Sequence, residues 1–333
     1  MLHVRIALFY TASALAGAFS GLLAFALAKM DGIGGLEGWR FIFLIEGAAT
    51  IALGLCVPWV LIDSVQQSKW LDEDERRFLL LNTSAQDGGQ SSQSKSRGVN
   101  WSVLWQVVTD WQLYVQAFIY WSNTVPNYAL KFTLPTIIQQ MGFTSSNAQL
   151  MTIPCYCLGA VSAFVSARFS DKYKRRMPFI VGAQTLVVIA FCIMAPLAPE
   201  IKQNIGPCYF AICLACLGFY PINPGGNAWT ANNLAGPTKR AMGMAYMICM
   251  GNIGGIIGSY IYIGSEAPQY PTGYGCSIAF AAAGIVAAVG LEIALIRINK
   301  KRDEMTQEEI NSKYTDQQLL DIGDRSPLYR YTL

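Results

Sequence analysis

Lys131 sits in an apolar run, Ala129-Leu130-Lys131-Phe132-Thr133-Leu134, and Asn123, Pro126, Asn127, Tyr128 and Pro135 lie along the same stretch. A charged or amide group inside hydrocarbon is costly unless it meets a partner or a watery cavity. The set therefore has reason to face inward, where it offers hydrogen-bond donors and one positive charge suited to a carboxylate. The competing role for Lys131, about 19 residues along its run, is to snorkel to the outer headgroups. In Tyr220-Pro221-Ile222-Asn223-Pro224-Gly225-Gly226-Asn227, two prolines and two glycines predict a broken helix, and Asn223 and Asn227, four apart, share one face. Such a run marks either a binding site or close helix packing. Gly251, Gly254, Gly255 and Gly258 have small-xxx-small spacing, which predicts packing and leaves Asn252 and Tyr246 as the candidates for a cavity side.

A second kind of chemistry is electrostatic. Ala167-Arg168-Phe169-Ser170-Asp171-Lys172-Tyr173-Lys174-Arg175-Arg176 places one acid ahead of a basic cluster in a tight turn. Asp171 can pair with Arg175 and Arg176, or with a helix N-terminus, as a latch that holds one conformation closed; the alternative is a plain cluster of positive charge beside a membrane. Glu46, six residues after Arg40, is expected to serve as a structural partner for that arginine or for a backbone donor, and Glu292 to snorkel. Nine cysteines, mostly within apolar runs, and a lone histidine, His3, argue against a metal site, a disulfide framework or a cofactor. Cys213-x-x-Cys216 reads as helix packing. No His, Ser/Lys or paired-acid constellation stands at mid-span depth, so no enzyme chemistry is implied.

The elements that must position these groups are set by hydropathy. Hydrophobic residues make up 53% and charged residues 14% of 333, against about 45–50% and 25% in a soluble domain. Eight stretches reach the roughly 20 residues that an α-helix needs to cross a bilayer, at about 7–29, 41–62, 112–138, 148–167, 178–197, 207–228, 242–263 and 277–297. The fold expected is all-α and polytopic in the lipid bilayer. An even number of spans puts both termini on one side, and 20 of the 24 Lys and Arg fall there, which predicts cytoplasmic termini. The net charge of +3, in short clusters, argues against a nucleic-acid partner.

The organisation expected is two spans in 1–62, a cytoplasmic loop in 63–110, six spans in 111–297 and a cytoplasmic tail in 298–333. Within the loop, Trp70 to Leu81 predicts a short amphipathic surface helix and Ser84 to Ser96 a linker.

The loop from Ala167 to Arg176 resembles the repeated loop motif of the major facilitator superfamily, with Ala167 where glycine is usual. Gly38-Trp39-Arg40-Phe41-Ile42-Phe43-Leu44-Ile45-Glu46-Gly47, Trp70-Leu71-Asp72-Glu73-Asp74-Glu75-Arg76, Leu134-Pro135-Thr136-Ile137-Ile138, Gly142-Phe143, and Trp229 to Asn233 followed by Lys239-Arg240-Ala241 resemble the fungal allantoate and nicotinate permeases of its anion:cation symporter branch. The resemblance covers the chain to about residue 297. It implies helices five to twelve of a twelve-helix fold, with one to four missing, and a last group of six spans closed into one bundle on which the first span packs mainly through the fourth. It also implies proton-coupled transport of small organic anions at the plasma membrane; the polar residues Asn123, Tyr128, Lys131, Asn223, Asn227 and Asn252 are then the expected substrate contacts, and Asp171, Arg175 and Arg176 the latch. The alternative is a chain that does not itself transport and binds or regulates a full-length permease. Neither reading fixes an oligomeric state.

Overall fold

Helix starts and stops follow local chemistry throughout the computed structural model, which describes residues 2–61, 65, 68, 70–86, 101–267, 269–315, 318–319 and 322–333. The elements are α1 (Leu2–Ala28), α2 (Gly38–Val60), α3 (Glu73–Gln86), α4 (Trp101–Val108), α5 (Trp111–Gln140), α6 (Ser145–Tyr173), α7 (Met177–Leu197), α8 (Ile205–Asn233), α9 (Pro237–Asn252), α10 (Gly254–Tyr260), α11 (Pro271–Asp303) and α12 (Gln307–Lys313). Asp110 caps α5 through the Gln112 amide and Thr144 caps α6 through that of Asn147, each satisfying an orphan donor of the first turn. Lys174, at φ +54°, ends α6 in the left-handed region. Prolines open α9 and α11 where their missing N–H is no loss, and Lys300, Lys301 and Arg302 sit in the last turn of α11, where the helix dipole favours cations.

Seven helices among the described residues are long and apolar enough to cross a membrane. The third expected span, α5, is not one of them, although its 30 residues exceed the length required. Gln112, Gln116, Asn123, Asn127 and Lys131 lower its hydropathy, and most of these side chains are turned into the protein. The helix break expected at Pro221 and Pro224 is corrected by the structure. α5 runs unbroken through Pro126 and Pro135, and α8 through Pro221 and Pro224, because the surrounding helices hold them and only the ladder bonds at the prolines are lost. The break in this half falls instead at Ile253, between α9 and α10, where Trp121 Nε1 donates to the Met250 carbonyl at 2.6 Å.

The chain divides into two compact units, residues 1–19 with 100–333 and residues 20–99. In the first, α8 packs between α6 and α7, and α11 packs on α5 and α7. Phe191 of α7 joins Phe219 of α8 and Tyr274 of α11, with ring centroids 6.1 Å apart in both pairs. Glycines permit the closest approaches: a Cβ at Gly218 would lie 2.6 Å from the Ala183 carbonyl oxygen, and one at Gly284 would overlap Ser122. Gly251, Gly254, Gly255 and Gly258 all face α5, against Tyr120, Trp121, Tyr128 and Val125. The start of α1 lies along α6 and α8, with the Val4 amide donating to Asp171 Oδ2 at 3.1 Å and Gly17 against the Tyr156 ring.

In the second unit, α2 buries only Gly38, whose amide donates to Asp31 Oδ1 at 2.6 Å. The surface helix α3 begins and ends later than Trp70 to Leu81, and the expected linker from residue 87 onward lies outside the described residues. Arg40 pairs with Glu37 at 3.4 Å rather than with Glu46, which is exposed; three residues on a helix bring charges together better than six do. Glu292, expected to snorkel, is buried instead, because α11 continues three turns past it.

Candidate functional site

Lys131 rises from α5 into a small cavity lined by Asn127, Leu130 and Leu134 of the same helix, Tyr156 of α6, and Cys216, Phe219 and Tyr220 of α8. Its Nζ lies 5.9 Å from the Tyr128 ring centre and 5.7 Å from that of Tyr220, within cation–π range of both faces. Among the described residues it has no carboxylate partner. An ammonium in apolar surroundings with only π faces to meet it attracts an anion strongly, since little solvent screens the pair. Tyr156 meets Tyr220 edge to face at 6.3 Å, so the two phenols form one wall. The free volume is about 10 Å³, room for about one water, so a solute enters only when α5, α6 and α8 separate.

A polar chain runs deeper into the bundle from this cavity. Asn123 Nδ2 donates to Asn223 Oδ1 at 2.8 Å and to the Phe219 carbonyl at 3.2 Å. Beside it, Gln184 Nε2 of α7 donates to Ser122 Oγ at 2.6 Å, and that hydroxyl donates to the Ile119 carbonyl at 2.7 Å. Asn123 Oδ1 and Gln184 Oε1 are buried without a hydrogen-bond partner among the described residues. Acceptors left open in a low dielectric are positions where a donor, on a solute or a water, binds favourably.

The structure brings Asn123, Asn223 and Lys131, with Tyr128, to this side of the bundle and separates the other two candidates. Asn227 turns away from Asn223, its Nδ2 donating to the Tyr10 hydroxyl of α1 at 2.9 Å. Asn252 is exposed, its amide donating back to the Ile248 carbonyl at 2.8 Å, and Tyr246 meets Tyr114 at a ring distance of 5.8 Å. Tyr156, Cys216, Tyr220, Ser122 and Gln184 were not among the expected contacts. Gln184 was detectable by the rule that singled out Asn123, as the sole amide in its span; the others look like ordinary packing residues until α5 and α8 meet.

At the α6–α7 turn, Asp171 Oδ1 accepts from Arg176 Nη2 at 2.7 Å with both side chains buried. Arg176 also donates to Ser170 Oγ at 3.0 Å. Arg175 is exposed; what it contributes is its carbonyl, which accepts from Ser170 Oγ at 2.7 Å. Cys155 and Cys213 bring their sulfurs to 3.5 Å across α6 and α8, and all nine cysteines are free.

The structure is a bundle of membrane-length helices with a half-buried lysine among aromatic rings, and comparison with known proteins gives its family. The family model of the Major Facilitator Superfamily matches residues 4–259 and 115–313. The chain is 36% identical over 99% of its length to the MFS-type transporter cnsO of Penicillium expansum, covering 64% of that protein. It is 31% identical over 91% to the MFS-type transporter efuF of Hormonema carpetanum, covering 60%, and 27% identical over 98% to the high-affinity nicotinic acid transporter of Saccharomyces cerevisiae, covering 59%. The chain spans about three fifths of the length of these relatives. It belongs to the Major Facilitator Superfamily and is an integral membrane protein whose relatives are transporters.

Proposed function

We propose that the protein carries small organic anions across the membrane, in symport with protons, with Lys131 as the group that meets the carboxylate. The observation that carries this reading is a lysine inside a helix bundle with aromatic faces around it and no acid beside it among the described residues. The nicotinic acid transporter among its relatives supports a monocarboxylate on a flat ring. Such a solute would place its carboxylate at Lys131, its ring against Tyr156 and Tyr220, and its hydrogen-bonding atoms toward Asn123 and Asn223. Tyr128 completes the cation's surroundings; Asn227 and Asn252 contribute only if the helices rearrange. The Asp171–Arg176 pair serves as the conformational latch, in a protein that sits in the plasma membrane with both termini facing the cytoplasm.

Uptake of labelled monocarboxylates into vesicles containing the full chain tests this. Uptake is expected for at least one aromatic carboxylate, driven by an inward proton gradient and reduced at least tenfold by Lys131→Met, which keeps the stem and removes the charge. No uptake across a broad panel of anions, or uptake indifferent to Lys131→Met, would overturn it.

A further inference from the structure

The segment from Gly323 to Leu333 lies beyond the last span and is polar enough to be read as a loose tail, yet Asp324, Ser326 and Tyr331 are buried. Two asparagines hold it. Asn233, at the end of α8, donates through Nδ2 to the Thr332 carbonyl at 3.1 Å and accepts from the Thr332 amide through Oδ1 at 2.7 Å. Asn299, near the end of α11, repeats the arrangement on the preceding residue, donating to the Tyr331 carbonyl at 2.8 Å and accepting from the Tyr331 amide at 2.9 Å. A side-chain amide that both gives to and takes from one peptide group copies what a neighbouring β-strand does. The tail is therefore gripped by its backbone, from two helices at once.

Side chains add to the grip. Trp229 Nε1 donates to the Thr332 carbonyl at 3.0 Å, and the Tyr329 hydroxyl to the Asn232 carbonyl at 2.7 Å. Arg302 of α11 donates to the carbonyls of Tyr329 and Asp324, at 2.8 and 2.9 Å, and lies 4.6 Å from the Tyr331 ring centre. Lys239, at the start of α9, reaches Asp324 Oδ1 at 2.6 Å. The Arg176 amide, in the turn that carries the Asp171 ion pair, donates to Leu333 O at 3.1 Å. Burial and the nearby Asp324 carboxylate push the Tyr329 phenol up to about 12, so it remains a donor at any physiological pH.

We propose that residues 323–333 form a permanent strut that joins the ends of α8 and α11, and with them the starts of α7 and α9, into one block that moves as a unit when the carrier changes conformation. Each contact is made to a helix end at the side of the bundle where the Asp171–Arg176 pair sits. Backbone gripping by asparagine serves lasting attachment better than reversible binding, because undocking gives up the four asparagine hydrogen bonds together.

Hydrogen exchange on the purified full chain in detergent, read by mass spectrometry, tests the strut. The Tyr331 and Thr332 amides are expected to exchange as slowly as the neighbouring turns of α8 and α11. Asn233→Ala with Asn299→Ala is expected to speed the tail about tenfold or more, the factor for losing about 1.4 kcal/mol of docking. A stop codon in place of Gly323 is expected to speed residues 229–233 and 299–303 while 271–277 keep their protection. Tail amides exchanging at free-peptide rates, or helix ends indifferent to both the deletion and the asparagine pair, would overturn the strut.

Discussion

Asn123 Nδ2 and Asn223 Oδ1 lie 2.8 Å apart across the contact of α5 and α8, one hundred residues apart in the chain. The bond fixes how these helices face each other beside Lys131, and Asn123 is buried, so leaving that amide unmatched costs about 1–3 kcal/mol. Asn123→Leu and Asn223→Leu are each expected to lower the denaturation midpoint in detergent, and the double variant to lose less than their sum, with a coupling of about 0.5–3 kcal/mol. Strict additivity would mean that the pair does not hold the helices in register.

Two glycines of the small-residue stripe differ in what they face, and that difference predicts unequal effects. A Cβ at Gly258 would come within 2.5 Å of the Val125 carbonyl oxygen, which cannot move without moving α5. At Gly251 the obstacle is the side chain of Tyr120 rather than backbone. Gly258→Ala is expected to destabilise by about 1–3 kcal/mol, the range for overpacking, and Gly251→Ala by less. Thermal denaturation of the two variants side by side checks the order, and Tyr120→Ala should relieve Gly251→Ala while leaving Gly258→Ala unchanged.

How much of this was legible beforehand divides by physics. Hydropathy located seven of the eight expected spans to within about six residues at either end, since hydrocarbon forces each to be a helix of bilayer length. The same rule singled out Asn123, Lys131 and Asn223, because amides and charges stand out against apolar neighbours. Pro221 and Pro224 misled, since a proline's local penalty is visible in the sequence and the packing that outweighs it is not. The grip on the tail was hidden for another reason: Asn233 and Asn299 look like ordinary helix-end residues until a segment 32 to 99 positions away lies against them. Glu292 and Arg175 exchanged their expected environments, as exposure at a helix end depends on where the next turn goes.

Arg175 and Arg176 stand side by side in sequence and should behave oppositely. Arg176 ion-pairs with Asp171 at 2.7 Å in a buried setting, where removing one partner leaves a charge uncompensated, at a cost of about 3–5 kcal/mol. Arg175 is exposed, where substitutions fall within about 0.5 kcal/mol. Arg176→Ala is expected to lower stability sharply and Arg175→Ala to leave it unchanged, both measured as denaturation midpoints. Asp171→Asn combined with Arg176→Met should recover part of the loss, because no buried charge is then left alone.

Lys239 lies between two buried carboxylates, Asp110 Oδ2 at 3.0 Å and Asp324 Oδ1 at 2.6 Å. Asp110 also caps α5, so the lysine ties the start of α5 and the start of α9 to the tail. Lys239→Met removes the positive charge that both acids share and is expected to cost about 3–5 kcal/mol. Asp324→Asn in the Lys239→Met background is expected to recover part of the loss, because it removes one of the two carboxylates left without a cation. Denaturation midpoints of the parent, the single variants and the double variant decide it: a double variant no more stable than Lys239→Met would show that the two acids do not share the lysine.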